Sequence, residues 1–171
     1  SAALDRCVHA ARGDLADLSL AGTLFSAHYA RAVALTCVAP GTPILAAASP
    51  TAEAISELLR GEVFHALDVT TDWAWGFCGH DGYVGYIRRD ALDVEEQPTH
   101  RVTALTAPLF SAPDIKSPIA DYWPLGARFT GEHCGDFIAC GDGFVHLRHA
   151  APLTESTADW VSLAERHLGK P

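Results

Sequence analysis

Hydrophobic and polar residues alternate along several short stretches of the chain. Val63 to Val69 alternates with a period of two, and Trp73, Trp75 and Phe77 occupy every second position of the stretch that follows. Successive side chains of a β-strand point to opposite faces of the sheet, so this spacing predicts half-buried strands. Glycine and proline separate the stretches at positions where turns are expected. The pattern therefore predicts a mainly β fold.

One of these stretches recurs later in the chain. Residues Asp81 to Ile87 read DGYVGYI, and Asp142 to Leu147 read DGFVHL, which aligns Gly82 with Gly143. A repeat at the spacing of one small β-barrel indicates two similar units in series. We therefore predict two tandem small β-barrels.

The remaining segments complete the predicted organisation. Residues 46–57 are rich in small side chains and are expected to form a long loop in the first barrel. Ser156 and Asp159 form an N-capping pattern ahead of an apolar face, which predicts an amphipathic helix. The expected boundaries are an extended N-terminal arm over 1–30, the first barrel over 31–92, the second over 99–153 and the helix over 156–169.

Composition and charge restrict the partners of this chain. Hydrophobic residues make up 49% of it, enough for both units to bury a core, and the net charge is −9. An acidic surface argues against nucleic acid and against an anionic membrane as partner, because both repel it. The apolar stretches are also too short to span a bilayer.

The five cysteines show no CxxC spacing, and their odd number argues against a disulfide framework. The nine histidines do not combine with carboxylates into a recognisable metal-ligand set. We therefore predict free thiols, no metal and no cofactor.

Catalysis by a cysteine requires a nearby histidine and a third group that orients it. Cys78 and His80 could share a face beside a hairpin, but the sequence offers no orienting partner. His133 and Cys134 are adjacent, and adjacent strand residues point to opposite faces. The sequence therefore predicts no catalytic residue in this chain.

The order of the motifs resembles that of bacterial SH3-like domains. It runs through LLRGEV at 58–63, then DWAW and DGYVGYI within 72–87. Two such domains followed by the segment 158–171 resemble the front part of NlpC-type cysteine peptidases. More narrowly, they resemble the γ-D-glutamyl-L-diamino-acid endopeptidases of the dipeptidyl-peptidase VI group, which trim murein peptides. The resemblance implies a further peptidase domain after Pro171 that carries the catalytic cysteine, so the chain by itself is expected to be inactive.

The resemblance also implies a substrate site on the first barrel. In those endopeptidases a carboxylate and a tyrosine of the first SH3-like domain hold the free amino end of the substrate's L-Ala. The matching positions here are Glu62 and Tyr83. Trp73 and Tyr86 are expected to line the outer face as an apolar platform for ligand. The expected partner is thus a murein peptide with a free N-terminal L-Ala, together with the peptidase domain.

The second copy of the repeat lacks these groups. Phe144 stands in place of Tyr83, and the position of Glu62 is taken by Arg128 or, when no shift is allowed, by Ala127. We therefore expect the second barrel to have a structural role.

Two other functions are consistent with the sequence. The chain could be a stand-alone module that binds cell wall or peptide without enzymatic activity. Less well supported is an adaptor for proline-rich peptides, which needs exposed aromatic residues beside acidic loop residues such as Glu53 and Glu57. Free cysteines and the lack of a signal peptide favour the cytoplasm, and an exported chain whose signal peptide has been removed is the alternative.

Overall fold

The computed structural model describes residues 5, 7–94 and 97–155. Strands dominate these residues, which confirms the prediction of a mainly β fold. The predicted helix over 156–169 lies outside the described residues.

The chain divides into two compact units, Ser1–Glu95 and Glu96–Pro171. In the first unit a short 3-10 helix, Arg89–Ala91, precedes the last strand. The strands of this unit are β1 (Leu15–Asp17), β2 (His28–Ala30), β3 (Val33–Cys37), β4 (Gly41–Leu45), β5 (Ala54–Leu59), β6 (Val63–Val69), β7 (Trp73–Cys78), β8 (Val84–Arg88) and β9 (Leu92–Val94).

A seven-stranded antiparallel sheet forms the body of the first unit. Its strands follow the order β5-β4-β8-β7-β6-β3-β9. β5 and β9 form the two edges and do not pair with each other, so the described strands form an open sheet. Closure into a barrel, as predicted from the repeat, is not confirmed for this unit.

The alternation read from the sequence decides which face of this sheet is buried. Phe64 and Ala66 of β6 point into the core, and Ala74 and Cys78 of β7 meet them there. Each large side chain removed from water in this way stabilises the fold by about 1.5–3 kcal/mol. The core consists of Cys37, Ile44, Leu58, Phe64, Ala66, Ala74, Cys78, Ile87 and Leu92.

The prediction of a long loop over 46–57 is wrong for the last part of that range. β5 begins at Ala54 and pairs with β4 through Leu45 opposite Ala54 and Ile44 opposite Ser56. Because the strand begins with small and polar residues, its sequence shows no clear alternation of hydrophobic and polar positions. Its last part is held in the sheet by burial of Leu58 in the core.

The N-terminal segment forms a small structure of its own. β1 and β2 pair in parallel, with Ala16 opposite Tyr29. A 3-10 helix over Leu18–Leu20 lies between them, and the Asp17 carboxylate caps it by accepting a hydrogen bond from the Ser19 N–H. The predicted arm is therefore a short parallel ribbon with one helical turn.

The second unit contains two sheets. One has the order β12-β11-β16-β15-β14 and the other β13-β10-β17. A 3-10 helix over Leu147–His149 precedes β17. The strands are β10 (His100–Val102), β11 (Thr106–Phe110), β12 (Ile119–Pro124), β13 (Arg128–Phe129), β14 (Glu132–Cys134), β15 (Phe137–Cys140), β16 (Gly143–His146) and β17 (Ala150–Pro152).

The two units share one strand order. In the first unit β6 pairs with both β7 and β3, and in the second unit this place is divided between β14 and β13. The other strands of the seven-stranded sheet each have one counterpart in the second unit, and each unit has a 3-10 helix before its last strand. The internal repeat is therefore visible as a repeated topology, although barrel closure is not confirmed in either unit.

The structure corrects the alignment of the repeat. In the first unit Leu45 pairs with Tyr86, directly after a register shift in β4. In the second unit Phe110 pairs with Phe144, directly after the same kind of shift in β11. Phe144 is therefore equivalent to Tyr86 and does not stand in place of Tyr83.

The glycines beside these residues agree with the corrected alignment. A Cβ on Gly85 would lie 2.8 Å from the Leu45 carbonyl oxygen, and a Cβ on Gly143 would lie 2.5 Å from the Phe110 carbonyl oxygen. At both positions the backbone of the neighbouring strand comes so close that a side chain would not fit, and only glycine is allowed there. Gly143 thus corresponds to Gly85, and the sequence alignment with Gly82 is wrong.

Candidate functional site

The carboxylate of Glu62 is held at a tight turn between β5 and β6. Gly61 adopts the left-handed conformation, with φ of 76°, that the turn requires. The Glu62 carboxylate then accepts a hydrogen bond from the Leu59 N–H, 2.8 Å from Oε2. Its side chain is 15% exposed. The turn therefore holds a half-buried carboxylate at the edge of the sheet.

A second turn, between β7 and β8, lies beside the first. The Gly79 N–H donates to the Val63 carbonyl at 2.8 Å, which joins this turn to the start of β6. Gly82 has φ of 74°, and the Asp81 carboxylate accepts a hydrogen bond from the Tyr83 N–H at 3.0 Å. The Asp-Gly pair is the local signal for this turn.

His80 belongs to the second turn and lies against the first. Its Nδ1 is 3.6 Å from Glu62 Oε2, and its Nε2 is 3.1 Å from Asp81 Oδ2. The imidazole therefore faces one carboxylate from each turn. Sequence reasoning considered His80 only as a partner for Cys78 and missed this arrangement, because Glu62 and His80 are brought together by the pairing of β6 with β7.

Ser56 of β5 completes the cluster. Its hydroxyl donates a hydrogen bond to Asp81 Oδ2 at 2.8 Å. Burial acts to raise the pKa of the Asp81 carboxyl, but the hydrogen bonds from the Tyr83 N–H and the Ser56 hydroxyl outweigh it and hold the pKa below its usual value. Asp81 therefore stays anionic at neutral pH. We refer to Ser56, Glu62, His80, Asp81 and Tyr83 as the turn cluster.

The four residues predicted to bind substrate occupy two different places. Glu62 and Tyr83 belong to the turn cluster, and the Tyr83 side chain is exposed. Trp73 lies at the far end of the β7–β8 hairpin, where it pairs with Arg88, and Tyr86 lies in the middle, where it pairs with Trp75. Trp73 begins β7, and the strand rise places it about 16 Å from the turn-cluster end. The structure thus places Glu62 and Tyr83 in two neighbouring turns and leaves Trp73 apart.

The N-terminal arm covers part of the outer aromatic face. The Arg12 guanidinium lies 4.7 Å from the centre of the Trp75 ring and pairs with the Asp68 carboxylate beside it. The Cys7 carbonyl also accepts a hydrogen bond from the Val84 N–H at 2.8 Å. Trp75 is only 4% exposed as a result. A proline-rich ligand needs a continuous run of exposed aromatic rings, and this face does not present one.

The thiol of Cys78, the last residue of β7, is buried next to the turn cluster, and its reactivity as a nucleophile is low. Burial raises its pKa to about 12, and the negative charge and hydrogen bond of Asp81 add to the effect. Burial likewise raises the pKa of Cys37 to about 11. Only a thiolate attacks a carbonyl carbon. These values are consistent with the prediction that neither thiol is catalytic.

Thiol labelling tests this assignment. With iodoacetamide at pH 8, the exposed Cys7 and Cys134 should be alkylated in the folded protein, while the buried Cys37 and Cys78 should react only after unfolding in urea. Peptide mass spectrometry identifies the modified residue at each time point. Rapid alkylation of Cys78 in the folded protein would contradict the assignment.

The second unit does not reproduce the turn cluster. The Cys37 N–H donates to the Glu62 carbonyl at 2.9 Å, and the equivalent Val102 N–H donates to the Ala127 carbonyl at 2.8 Å. Ala127 therefore stands at the position of Glu62, which decides between the two alignments considered from the sequence. The turn that carries His80, Asp81 and Tyr83 is replaced by a short turn between β15 and β16.

Among the residues that the structure describes, no group of three or more histidine, cysteine, aspartate or glutamate side chains is arranged to hold a metal ion. The described part of the chain also contains no helix that is long and apolar enough to cross a membrane.

One known family matches part of the first unit. Residues 44–92 match the family described as the bacterial dipeptidyl-peptidase Sh3 domain. The matched range contains the whole turn cluster and the β7–β8 hairpin. The first unit is thus similar to SH3 domains associated with bacterial peptidases, which confirms the coarser part of the resemblance found in the sequence.

Two solved structures are similar to the chain at low identity. They are NlpC2 and NlpC1 from Trichomonas vaginalis, with 16% and 17% sequence identity and a TM-score of 0.33 in each case. The matches cover 72% and 71% of this chain, and 49% and 46% of the two structures. The chain thus spans about half the length of these proteins. No curated protein matches the chain.

Proposed function

We propose that this chain is the tandem SH3-like region of a murein-peptide endopeptidase that cleaves γ-D-Glu–diamino acid bonds. In this proposal a separate peptidase domain performs the hydrolysis. The first unit closes the substrate site and selects peptides whose N-terminal L-Ala carries a free amine. The second unit, which has Ala127 in place of the carboxylate, positions the domains.

The observation that carries this proposal is the half-buried carboxylate of Glu62. It lies in the unit that matches a family described as belonging to dipeptidyl-peptidases, and its equivalent in the second unit is an alanine. An ammonium group that leaves water needs an anionic partner, since an unpaired charge in a closed cleft is strongly unfavourable. Glu62 and Asp81 supply negative charge at the turn cluster.

The neighbouring groups suit recognition of a peptide terminus. Tyr83, whose N–H donates to Asp81, has an exposed side chain that combines an apolar ring with a polar tip. An acetylated or cross-linked amine carries no positive charge and would leave Glu62 without a counter-ion. Selectivity for a free amine follows from this electrostatic difference.

Binding of a synthetic peptide tests the proposal. The tripeptide L-Ala-γ-D-Glu-meso-diaminopimelic acid should bind the protein, and its N-acetyl form should bind at least ~10-fold more weakly. NMR titration suits weak binding, and the amide signals of Leu59 and Tyr83 are the expected reporters because these N–H groups donate to Glu62 and Asp81.

The variant Glu62→Gln should lower the affinity for the free-amine peptide by roughly 10- to 100-fold, as expected for the loss of a charged hydrogen-bond partner. Glu53→Gln, an exposed change of the same chemistry in the same unit, is the matched control and should bind normally. Equal affinity of the protein for the free and acetylated peptides would overturn the proposal.

A further inference from the structure

The turn that carries His80 has no counterpart in the second unit, and it places an imidazole against the carboxylate expected to bind the ligand. We propose that His80 is an internal counter-ion of Glu62, which a ligand ammonium displaces with release of one proton from the imidazole. This inference rests on the proposed function and adds a specificity-determining residue to the same site.

Two carboxylates lie beside the His80 imidazole in the unliganded protein. Both ring nitrogens of His80 lie within ion-pair distance of a carboxylate, Nδ1 3.6 Å from Glu62 Oε2 and Nε2 3.1 Å from Asp81 Oδ2. A neutral imidazole has a single N–H, so only the imidazolium can direct a proton toward both carboxylates. In this state His80 occupies the Glu62 carboxylate that the ligand requires.

Arrival of an ammonium changes the balance of charge. Two positive groups cannot share the Glu62 carboxylate without repulsion, so the imidazolium gives up its Nδ1 proton to solvent. The remaining proton stays on Nε2, the ring nitrogen 3.1 Å from Asp81 Oδ2, because the neighbouring carboxylate favours this tautomer. The lone pair of Nδ1 then points toward the ligand side and accepts a hydrogen bond from the ammonium. One cation and one lost proton leave the total charge of the site unchanged.

The other groups around His80 do not supply this proton. Asp81, in the same turn, is anionic at neutral pH, and Cys78 of β7 stays protonated because burial raises its pKa to about 12. Ser56 of β5 contributes a neutral hydroxyl. A second histidine of the same unit, His65 of β6, lies beside Gly79 and stacks on Phe77 at 4.9 Å between ring centres. His65 therefore provides the matched control.

The experiment is calorimetric titration of the protein with L-Ala-γ-D-Glu-meso-diaminopimelic acid between pH 5.5 and 7.0. Below pH 7.0 the peptide amine stays charged, since α-amino groups titrate near pH 7.7–8.0. We expect the affinity to rise about tenfold over this range, because one linked proton changes an affinity by at most tenfold per pH unit. Buffers of different ionisation enthalpy should report release of up to one proton.

Substitution separates His80 from its neighbours. His80→Gln should abolish both the proton release and the rise in affinity with pH, whereas His65→Gln should retain both. Independently of any variant, the NMR titration of the His80 ring in the wild-type protein should move to lower pH when the peptide is bound. An unchanged pH dependence in His80→Gln, or a His80 titration that ligand leaves unmoved, would overturn the inference.

The proposed function itself is tested separately, by comparing the affinities of the free-amine and N-acetyl peptides. If the N-acetyl peptide binds as tightly as the free-amine peptide, the amine site itself is wrong. If the free amine is preferred but His80→Gln keeps the pH dependence, the amine site stands and only the role of His80 fails.

Discussion

Replacing Gly76 with alanine is expected to prevent the seven-stranded sheet of the first unit from forming. A Cβ at this position would lie 2.0 Å from the His65 carbonyl oxygen and 3.0 Å from the Ala66 Cα. These are backbone atoms, so no side-chain rotation relieves the clash, and β6 would have to separate from β7. We expect a loss of about 3 kcal/mol or more, a large part of the stability of a domain.

Urea unfolding followed by tryptophan fluorescence measures this loss, since Trp73 and Trp75 lie in the affected hairpin. The control is Gly13→Ala, because Gly13 is exposed and a Cβ there would meet nothing within 4 Å. The control should unfold within about 0.5 kcal/mol of the wild type. Equal stability of the two variants would show that β6 and β7 do not approach as closely as described.

Replacing Trp123 with alanine is expected to destabilise the second unit by about 3–5 kcal/mol. Trp123 is 1% exposed and packs against Phe129, with 5.1 Å between the ring centres. Its removal would leave a large cavity in the only core cluster described for this unit, which also contains Val102, Ala107, Leu109, Phe129, Ile138 and Val145. Neighbouring strands cannot collapse into a space of that size.

Tyr122→Ala is the matched control, because this neighbour on β12 is 54% exposed and points away from the core. It should change the free energy of unfolding by less than about 1 kcal/mol. Thermal unfolding followed by circular dichroism measures both variants. Similar melting temperatures for Trp123→Ala and the wild type would rule out the described core.

The sequence predicted the alternation along β6 and β7 correctly because alternation is a local property. Phe64 and Ala66 are buried and His65 lies on the opposite face, as a period of two requires. It did not predict β5. Small and polar residues from Ala54 to Ser56 resemble a loop, and only pairing with β4 makes this segment a strand.

The alignment of the repeat shows a second limit of sequence reasoning. Asp81-Gly82 and Asp142-Gly143 are the same dipeptide, so they align by identity. The structure uses them differently, since Gly82 shapes a long turn and Gly143 allows close contact with Phe110. Identical residues can therefore occupy structurally different positions, and only the pairing of the strands shows which positions are equivalent.

The candidate site was found in part. Glu62 and Tyr83 were singled out through a family resemblance, and both lie at the turn cluster. His80, Asp81 and Ser56 were missed as a group, because only tertiary contacts bring β5 and the turn that carries His80 and Asp81 to the turn of Glu62. The roles of Trp73 and Tyr86 stay predictions, and the arm contact of Arg12 with Trp75 had no local signal at all.

The sequence by itself determined the mainly β character, the alternation of core and surface positions and the presence of a repeat. These properties depend on neighbours along the chain, where strand geometry imposes a fixed period. The tertiary structure alone decided the register of the repeat, the covering of the aromatic face by the arm and the placement of His80 between two carboxylates. Contacts of this kind join residues far apart in the chain, and they form only when strands pair and backbones approach.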